Sequence, residues 1–354
     1  MEIKNLIPYT ESIPAPAQIL ILFEQFFFMI HIVLVNSIIG LSLIIIYKNL
    51  SATGETLEIK KLIAQKIPIL FAIAINMAIP ALLFIQVVFG HFFYTSSVLL
   101  GTFWILIIPL LIVAYYASYF YYRKVEASTL ANLSLLIVIF IMLYIAFILV
   151  NNLTLMEEPQ KWSQYFEKRD GTILLWKEIT IYPRYFHFIV ASLAVGGIFY
   201  AVYNKLTKST DKKIQSMKIK EGLKIFSYAT VVQMFIGILF LLTLPKKVML
   251  QFMGGDFLAT LVFISGIVFA TAAMISGFKE KLNFTLVFLT LTILAMIINR
   301  YNLRIFQLGD YFKISELKIN PQWDVFVIFL LILFAGVGVI IYMLKLAFFK
   351  EAKK

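Results

Sequence analysis

Thr129-Leu-Ala-Asn-Leu-Ser-Leu-Leu-Ile-Val-Ile-Phe-Ile-Met-Leu-Tyr-Ile-Ala-Phe-Ile-Leu-Val150 runs for 22 residues without one charged side chain. Wound as a helix at about 1.5 Å per residue, it reaches about 33 Å, enough to cross a hydrocarbon layer of about 30 Å. Inside lipid each backbone N–H and C=O must find its partner within the protein, and a helix does this within one segment. The stretch therefore reads as a transmembrane helix. Working outward from it, comparable apolar segments lie near 18–47, 64–88, 98–122, 183–204, 223–244, 256–277, 282–299 and 325–349, giving nine spans. The predicted fold is an all-α polytopic membrane bundle forming one domain over 1–354.

Composition points the same way. The chain is 61% hydrophobic and 14% charged with a mean hydropathy of +0.91, which leaves no separate soluble domain. Met1 to Gln18 lacks a basic segment leading into a short apolar core, so the first apolar run reads as a retained span rather than a cleaved signal. With alternate loops assigned to opposite sides, one side holds 19 Lys+Arg against 7 Asp+Glu and the other 12 against 12. The whole net charge of +12 falls on one side, and the positive-inside rule makes that side cytoplasmic, with the N-terminus outside and the C-terminus inside. The expected location is the cytoplasmic (inner) membrane. Lys205 to Lys224, with seven lysines, is the strongest topological marker; it has no interleaved aromatics of the kind that bind nucleic acid, so no nucleic-acid partner is expected. Pro68, Pro80 and Pro109 fall inside spans and predict kinks. The outer segment 151–182 mixes acids and bases with Trp162 and Trp176, and is expected to form an interfacial helix or a docking surface.

The chain has no cysteine, which excludes disulfides, iron–sulfur clusters, thiolate nucleophiles and covalent haem attachment. Ionisable residues in lipid are costly and become functional candidates, and there are three histidines. His187 is followed by Ala191 and Ala194 at i+4 and i+7 on its own face, which would leave clearance for a porphyrin; Arg184 at i−3 could pair a propionate. The alternative is a histidine packed against a neighbouring helix, with the small residues serving close helix contact. His31, midway along the first span, has Glu24 two turns away and is a candidate ligand for a second haem. Met253, before Gly254-Gly255, could supply a thioether opposite His187. His91, at the end of the second span, could replace it or release protons. Arg300 and Arg304 could neutralise propionates or dock an acidic partner, or else snorkel as boundary charges.

These residues resemble the large subunit of the cytochrome bd quinol oxidases. Phe186-His187-Phe-Ile-Val-Ala-Ser-Leu-Ala-Val-Gly-Gly-Ile-Phe199, followed by a basic loop, is similar to that family's low-spin haem b helix, and His31 falls where the family has another haem-ligating histidine. Phe89-Gly90 with Phe93-Tyr-Thr-Ser-Ser97 resembles its second outer turn, and Arg300-Tyr-Asn-Leu-Arg304 the end of its eighth span. The resemblance implies nine spans, haem ligation by His187 with Met253, and a second haem on His31. The family's glutamates in spans 3 and 8 are absent, with Leu111 and Leu291 to Met296 in those regions, and its long quinol-binding loop is reduced to Pro245–Gly255. The expectation is a subunit of a respiratory oxidoreductase complex that binds one or two b-type haems. It would move electrons between the quinone pool, with quinone as a candidate substrate, and a periplasmic c-type cytochrome, beside other membrane subunits. A terminal quinol oxidase of the bd type and a cofactor-free scaffold or transporter stay open as alternatives.

Overall fold

Helix is the only regular structure long enough to matter among the described residues, which in this computed structural model are Ile7, 11–50, 57–126, 128–207 and 211–349. Nine helices there are long and apolar enough to cross a membrane, so the protein is a multi-pass membrane protein of the all-α class. They are α1 (Ala17–Leu50), α2 (Leu57–Val88), α4 (Gly101–Lys124), α5 (Ser128–Glu157), α6 (Ile181–Leu206), α7 (Lys212–Thr243), α9 (Phe257–Phe278), α10 (Leu282–Leu308) and α11 (Trp323–Phe349). Two short helices, α3 (Gly90–Leu99) and α8 (Lys246–Leu250), lie at the end of the bundle where α1 begins, here the N-side. The opposite end is the lysine side.

The nine spans match the sequence reading in number and order, and several helices run further. α5 continues to Glu157 and α10 to Leu308, carrying charged residues inside helices that the apolar runs alone would end earlier. α2 and α4 pass through Pro68, Pro80 and Pro109 as single helices. The expected interfacial helix in 151–182 is a short 3-10 helix, Pro159–Phe166.

Eight of the spans fall into two sets of four. α1 packs along α2 and α4 along α5, with α1 also against α5 and α2 against α4, so the first set closes on itself. In the second set α6 packs along α7, α7 along α9 and α9 along α10, but α10 and α6 scarcely meet. That set is open on one side. The sets join where α1 lies against α6, and glycine makes the join close: a Cβ on Gly40 would fall 1.9 Å from the Ser192 carbonyl, and one on Gly196 2.5 Å from the Gly40 backbone. Gly197 uses its opposite side in the same way against Gly222 of α7. With no water to drive apolar helices together, such backbone contact is what dispersion rewards in lipid. α6 is thus the pillar between α1 and α7. α11 leans on the first set through Phe326 and Phe329, whose rings meet Phe23 and, for Phe329, Phe84. On the N-side its approach is held by Ile13, whose N–H donates to the Lys318 carbonyl (2.8 Å) and whose carbonyl accepts from Asn320 N–H (2.9 Å).

Candidate functional site

Charges gather inside the N-side half, where the two sets meet. Glu24 lies seven residues into α1 and Arg300 eight residues before the end of α10, each about 10–12 Å below its helix end. Arg300 Nη1 donates to Glu24 Oε1 at 3.3 Å and Arg304 Nη1 to the same oxygen at 3.2 Å. Arg304 Nε faces Glu157 Oε1 of α5 at 3.8 Å, and Arg184 of α6 donates to the other Glu157 oxygen at 2.6 Å and to Thr154 at 3.1 Å. Gln25 adds its amide to Glu24. Glu24, Glu157 and Arg304 are essentially inaccessible. Nearer the surface Lys161 bridges Glu158 and Glu178. Burial pushes the Glu158 carboxyl up from its usual range, with Lys161 pulling the other way. The buried group, Glu24 and Glu157 with Arg184, Arg300 and Arg304, holds two acids and three bases, and the cluster nearer the surface, Lys161 with Glu158 and Glu178, holds two acids and one base.

Aromatic faces carry part of the cationic load. The Arg300 guanidinium lies 3.7 Å from the Phe28 ring centroid, Arg304 5.0 Å from Phe89 and Arg184 5.5 Å from Phe240, and such contacts strengthen when desolvated. Nε and Nη2 of Arg304 nevertheless make no hydrogen bond. The sequence reading offered Arg184 a propionate to pair, and Arg300 and Arg304 propionates, an acidic partner or a boundary position. In the structure Arg184 has Glu157 as its partner, and Arg304 is interior because α10 continues one turn beyond it.

The histidines separate. His31 Nδ1 meets the Ala74 carbonyl of α2 at 2.8 Å; as that oxygen only accepts, Nδ1 carries the proton and the Nε2 lone pair is left for another group, the tautomer a ligating imidazole needs. Glu24 does not bond His31; its partners are the two arginines and Gln25. His187 is six residues into α6, about 9 Å below its N-side end. Its Nδ1 is buried without a hydrogen-bond partner. Opposite stands Gly237 of α7, where an added Cβ would come within 3.3 Å of His187 Cε1. The imidazole thus packs against a glycine on the facing helix, in space a larger residue would need. The small residues after it do another job: Gly196 and Gly197 are filled by neighbouring backbones, and Ala194 packs in the core with Phe226.

Two amides of the second set are also short of partners. Gln233, one turn along α7 from Gly237, has a buried unbonded Oε1, and Asn299 of α10 has neither amide atom bonded. Met253 lies in the turn before α9, largely exposed, where Gly254 at φ 111° permits the chain reversal and its N–H donates to Thr260 Oγ1 at 2.9 Å. His91 is in the first turn of α3, at the N-side of the first set. Sequence reasoning missed Glu157, Gln233, Gly237 and Asn299, since nothing local marks a lone amide or glycine as facing a particular neighbour.

A groove of about 390 Å³ enters the bundle between α1, α6 and α10, in the opening of the second set. Its walls include Met29 and Val33, Val195 and Phe199, and Leu289 and Ile293. Among the described residues no three His, Cys, Asp or Glu are gathered to hold a bare metal ion; haem iron brings its own ring nitrogens and asks the protein only for axial ligands. No protein-family model matches the chain, and no curated protein matches it in sequence.

Proposed function

We propose that the protein is a b-type haem-binding electron-transfer subunit of a respiratory membrane complex, exchanging electrons with the quinone pool and, on its N-side, with a periplasmic c-type cytochrome. The observation that carries this reading is the His187 imidazole, buried in the second helix set with an unpartnered ring nitrogen and a glycine across from it. A buried polar atom without a bond costs about 1–3 kcal/mol, and in native proteins such an atom usually marks a water, ion or ligand. Gln233 and Asn299, in the same set, add to that demand. His31, its proton held on Nδ1 by Ala74, offers a second axial nitrogen. When bound, haem supplies one-electron transfer, and its potential follows from the axial ligands, burial and nearby charge. The chain's part is to hold imidazoles at fixed angles on packed helices, to exclude water, and to set guanidinium charge close by through Arg300 and Arg304.

In this reading the lysine side is cytoplasmic and the membrane is the cytoplasmic one. The likeness to the bd oxidase large subunit is part of the proposal, without oxygen reduction: α4 and α10 contain no acid, so the family's oxygen-site glutamates have no counterpart there. The test is the visible spectrum of the purified full chain. A dithionite-reduced α-band of b type is expected, reduced in His187→Ala. A wild-type protein without that band, made in haem-replete cells, overturns the proposal.

A further inference from the structure

The lysine-rich run that ends at Lys224 plays no part in the N-side charge network, and the fold brings further charge to it from a distant part of the chain. Lys220 pairs with Glu280 at 2.6 Å, which sets the turn between α9 and α10, Lys279-Glu280-Lys281, against the lysine-side end of α7. One turn further along α7 stands Lys224, and one turn beyond it Tyr228, whose ring meets Phe278 of α9 edge-on at 5.1 Å. Gly277 keeps this seam tight, since an added Cβ would fall 2.2 Å from Ser227 Oγ. Lys220 and Lys224 with the turn carry four positive charges against one negative. Glu221 is turned to α1, where it holds Lys48 at 2.7 Å.

Depth follows from the uncharged lengths of the two helices. From Ile225 to Thr243 α7 has 19 residues without a charge, about 28 Å of helix, and α9 has 22 from Phe257 to Phe278, about 33 Å. Each matches one hydrocarbon thickness of about 30 Å. Lys224 and Lys279 therefore stand at the same membrane border, where headgroup phosphates lie, and Tyr228 and Phe278 stand just inside it, where acyl chains begin. All four side chains are exposed.

An unbalanced cationic cluster above an aromatic ledge suits a ligand that is anionic at one end and apolar at the other. A soluble anion would use the charges and leave the ledge bare, and a zwitterionic lipid would bring its own ammonium up to the lysines. We propose that the seam between α7 and α9 on the lysine side binds an anionic phospholipid, with its phosphate held by Lys224 and Lys279 and its acyl chains starting over Tyr228 and Phe278. Each lysine close to such a headgroup adds to the attraction, and the low dielectric of the border keeps it from being fully screened.

The test is native mass spectrometry of the full chain, delipidated in detergent and titrated with phosphatidylglycerol or phosphatidylethanolamine carrying the same acyl chains. Wild type is expected to bind its first phosphatidylglycerol roughly tenfold more tightly than phosphatidylethanolamine. Lys224→Gln combined with Lys279→Gln is expected to abolish that preference. Lys212→Gln combined with Lys213→Gln removes the same charge from the first turn of α7, about 17 Å beyond Lys224, and is expected to keep it. Should the first pair fail to elute as monodisperse protein, Lys224→Gln alone is used, with a loss of about threefold expected. Equal affinity of wild type for the two lipids overturns the site. So does a preference that survives the loss of Lys224 and Lys279, or one that both pairs of substitutions remove alike, which would make it a property of overall charge.

Discussion

The two four-helix sets are made of similarly apolar helices and differ in how they treat their polar side chains. In the first, buried amides are tied down: Asn49 donates to Asn132 at 2.7 Å, Gln65 to Tyr122 at 3.3 Å, and Asn152 accepts from Ser97 at 3.4 Å. Each keeps one end unbonded but has a partner at the other. In the second, His187 Nδ1 and both amide atoms of Asn299 face the interior with no partner. The first set also closes into a ring, whereas the second stays open between α6 and α10. A closed set whose buried amides each hold a partner at one end is a scaffold, although its Ser42 Oγ and Tyr121 hydroxyl are also unbonded. An open one with unsatisfied groups has the character of a container, and the charge network on the N-side fastens one to the other.

The largest effect is expected from cutting that fastening. Arg304→Ala leaves Glu24 and Glu157 buried with weakened partners, and breaking a buried pair from one side costs about 3–5 kcal/mol. Denaturant unfolding in mixed micelles is expected to show a loss of that size. Adding Glu24→Gln to Arg304→Met is expected to recover part of it, because the stranded carboxylate is then removed as well. Full stability in Arg304→Ala alone would mean that the sets are held together by the Gly40–Gly196 seam and not by charge.

A smaller effect distinguishes the sets directly. Asn299→Leu removes an amide with no protein partner and is expected to raise the stability of cofactor-free protein by about 1 kcal/mol. Asn152→Leu removes an amide whose oxygen is bonded, while Ser97 keeps the Phe93 carbonyl at 2.7 Å, so it is expected to lower stability by a smaller amount. Equal destabilisation by both would erase the contrast between container and scaffold.

The smallest concerns Glu158, at the surface end of the network. Its carboxyl is raised by burial, so the folded state binds the proton more readily than the unfolded chain. The stability this contributes is complete below the unfolded pKa and is lost as pH rises through the raised, folded one. Glu158→Gln is expected to flatten that part of the profile and to stabilise the protein on the alkaline side, as read from thermal unfolding between roughly pH 4 and pH 8.

Most of the architecture was legible in the sequence because lipid imposes a simple rule, and unbroken apolar runs such as 129–150 obey it. Helix ends were less legible. Hydropathy falls towards Glu157 and Arg304, yet α5 runs on to Glu157 and α10 past Arg304 to Leu308, since those charges are neutralised by residues far away in the chain. Arg300-Tyr-Asn-Leu-Arg304 offered a hint, because Ile305, Phe306 and Leu308 resume the apolar pattern past the arginines. The three histidines were marked by rarity alone, and what each faces was not encoded nearby: Ala74 for His31 and Gly237 for His187 are 43 and 50 positions away. Of the two readings open for the small residues after His187, clearance or close helix contact, Gly196 and Gly197 serve contact, which only the neighbouring helices decide.

The central claim is tested most directly by the haem-to-chain ratio, measured by pyridine haemochrome on wild type, His187→Ala and His31→Ala purified in parallel. The account predicts haem b in wild type, a loss of the haem in the second set when His187 is replaced, and retention of that haem when only His31 is replaced. Haem b present at the same ratio in all three proteins, or absent from all three, would contradict it.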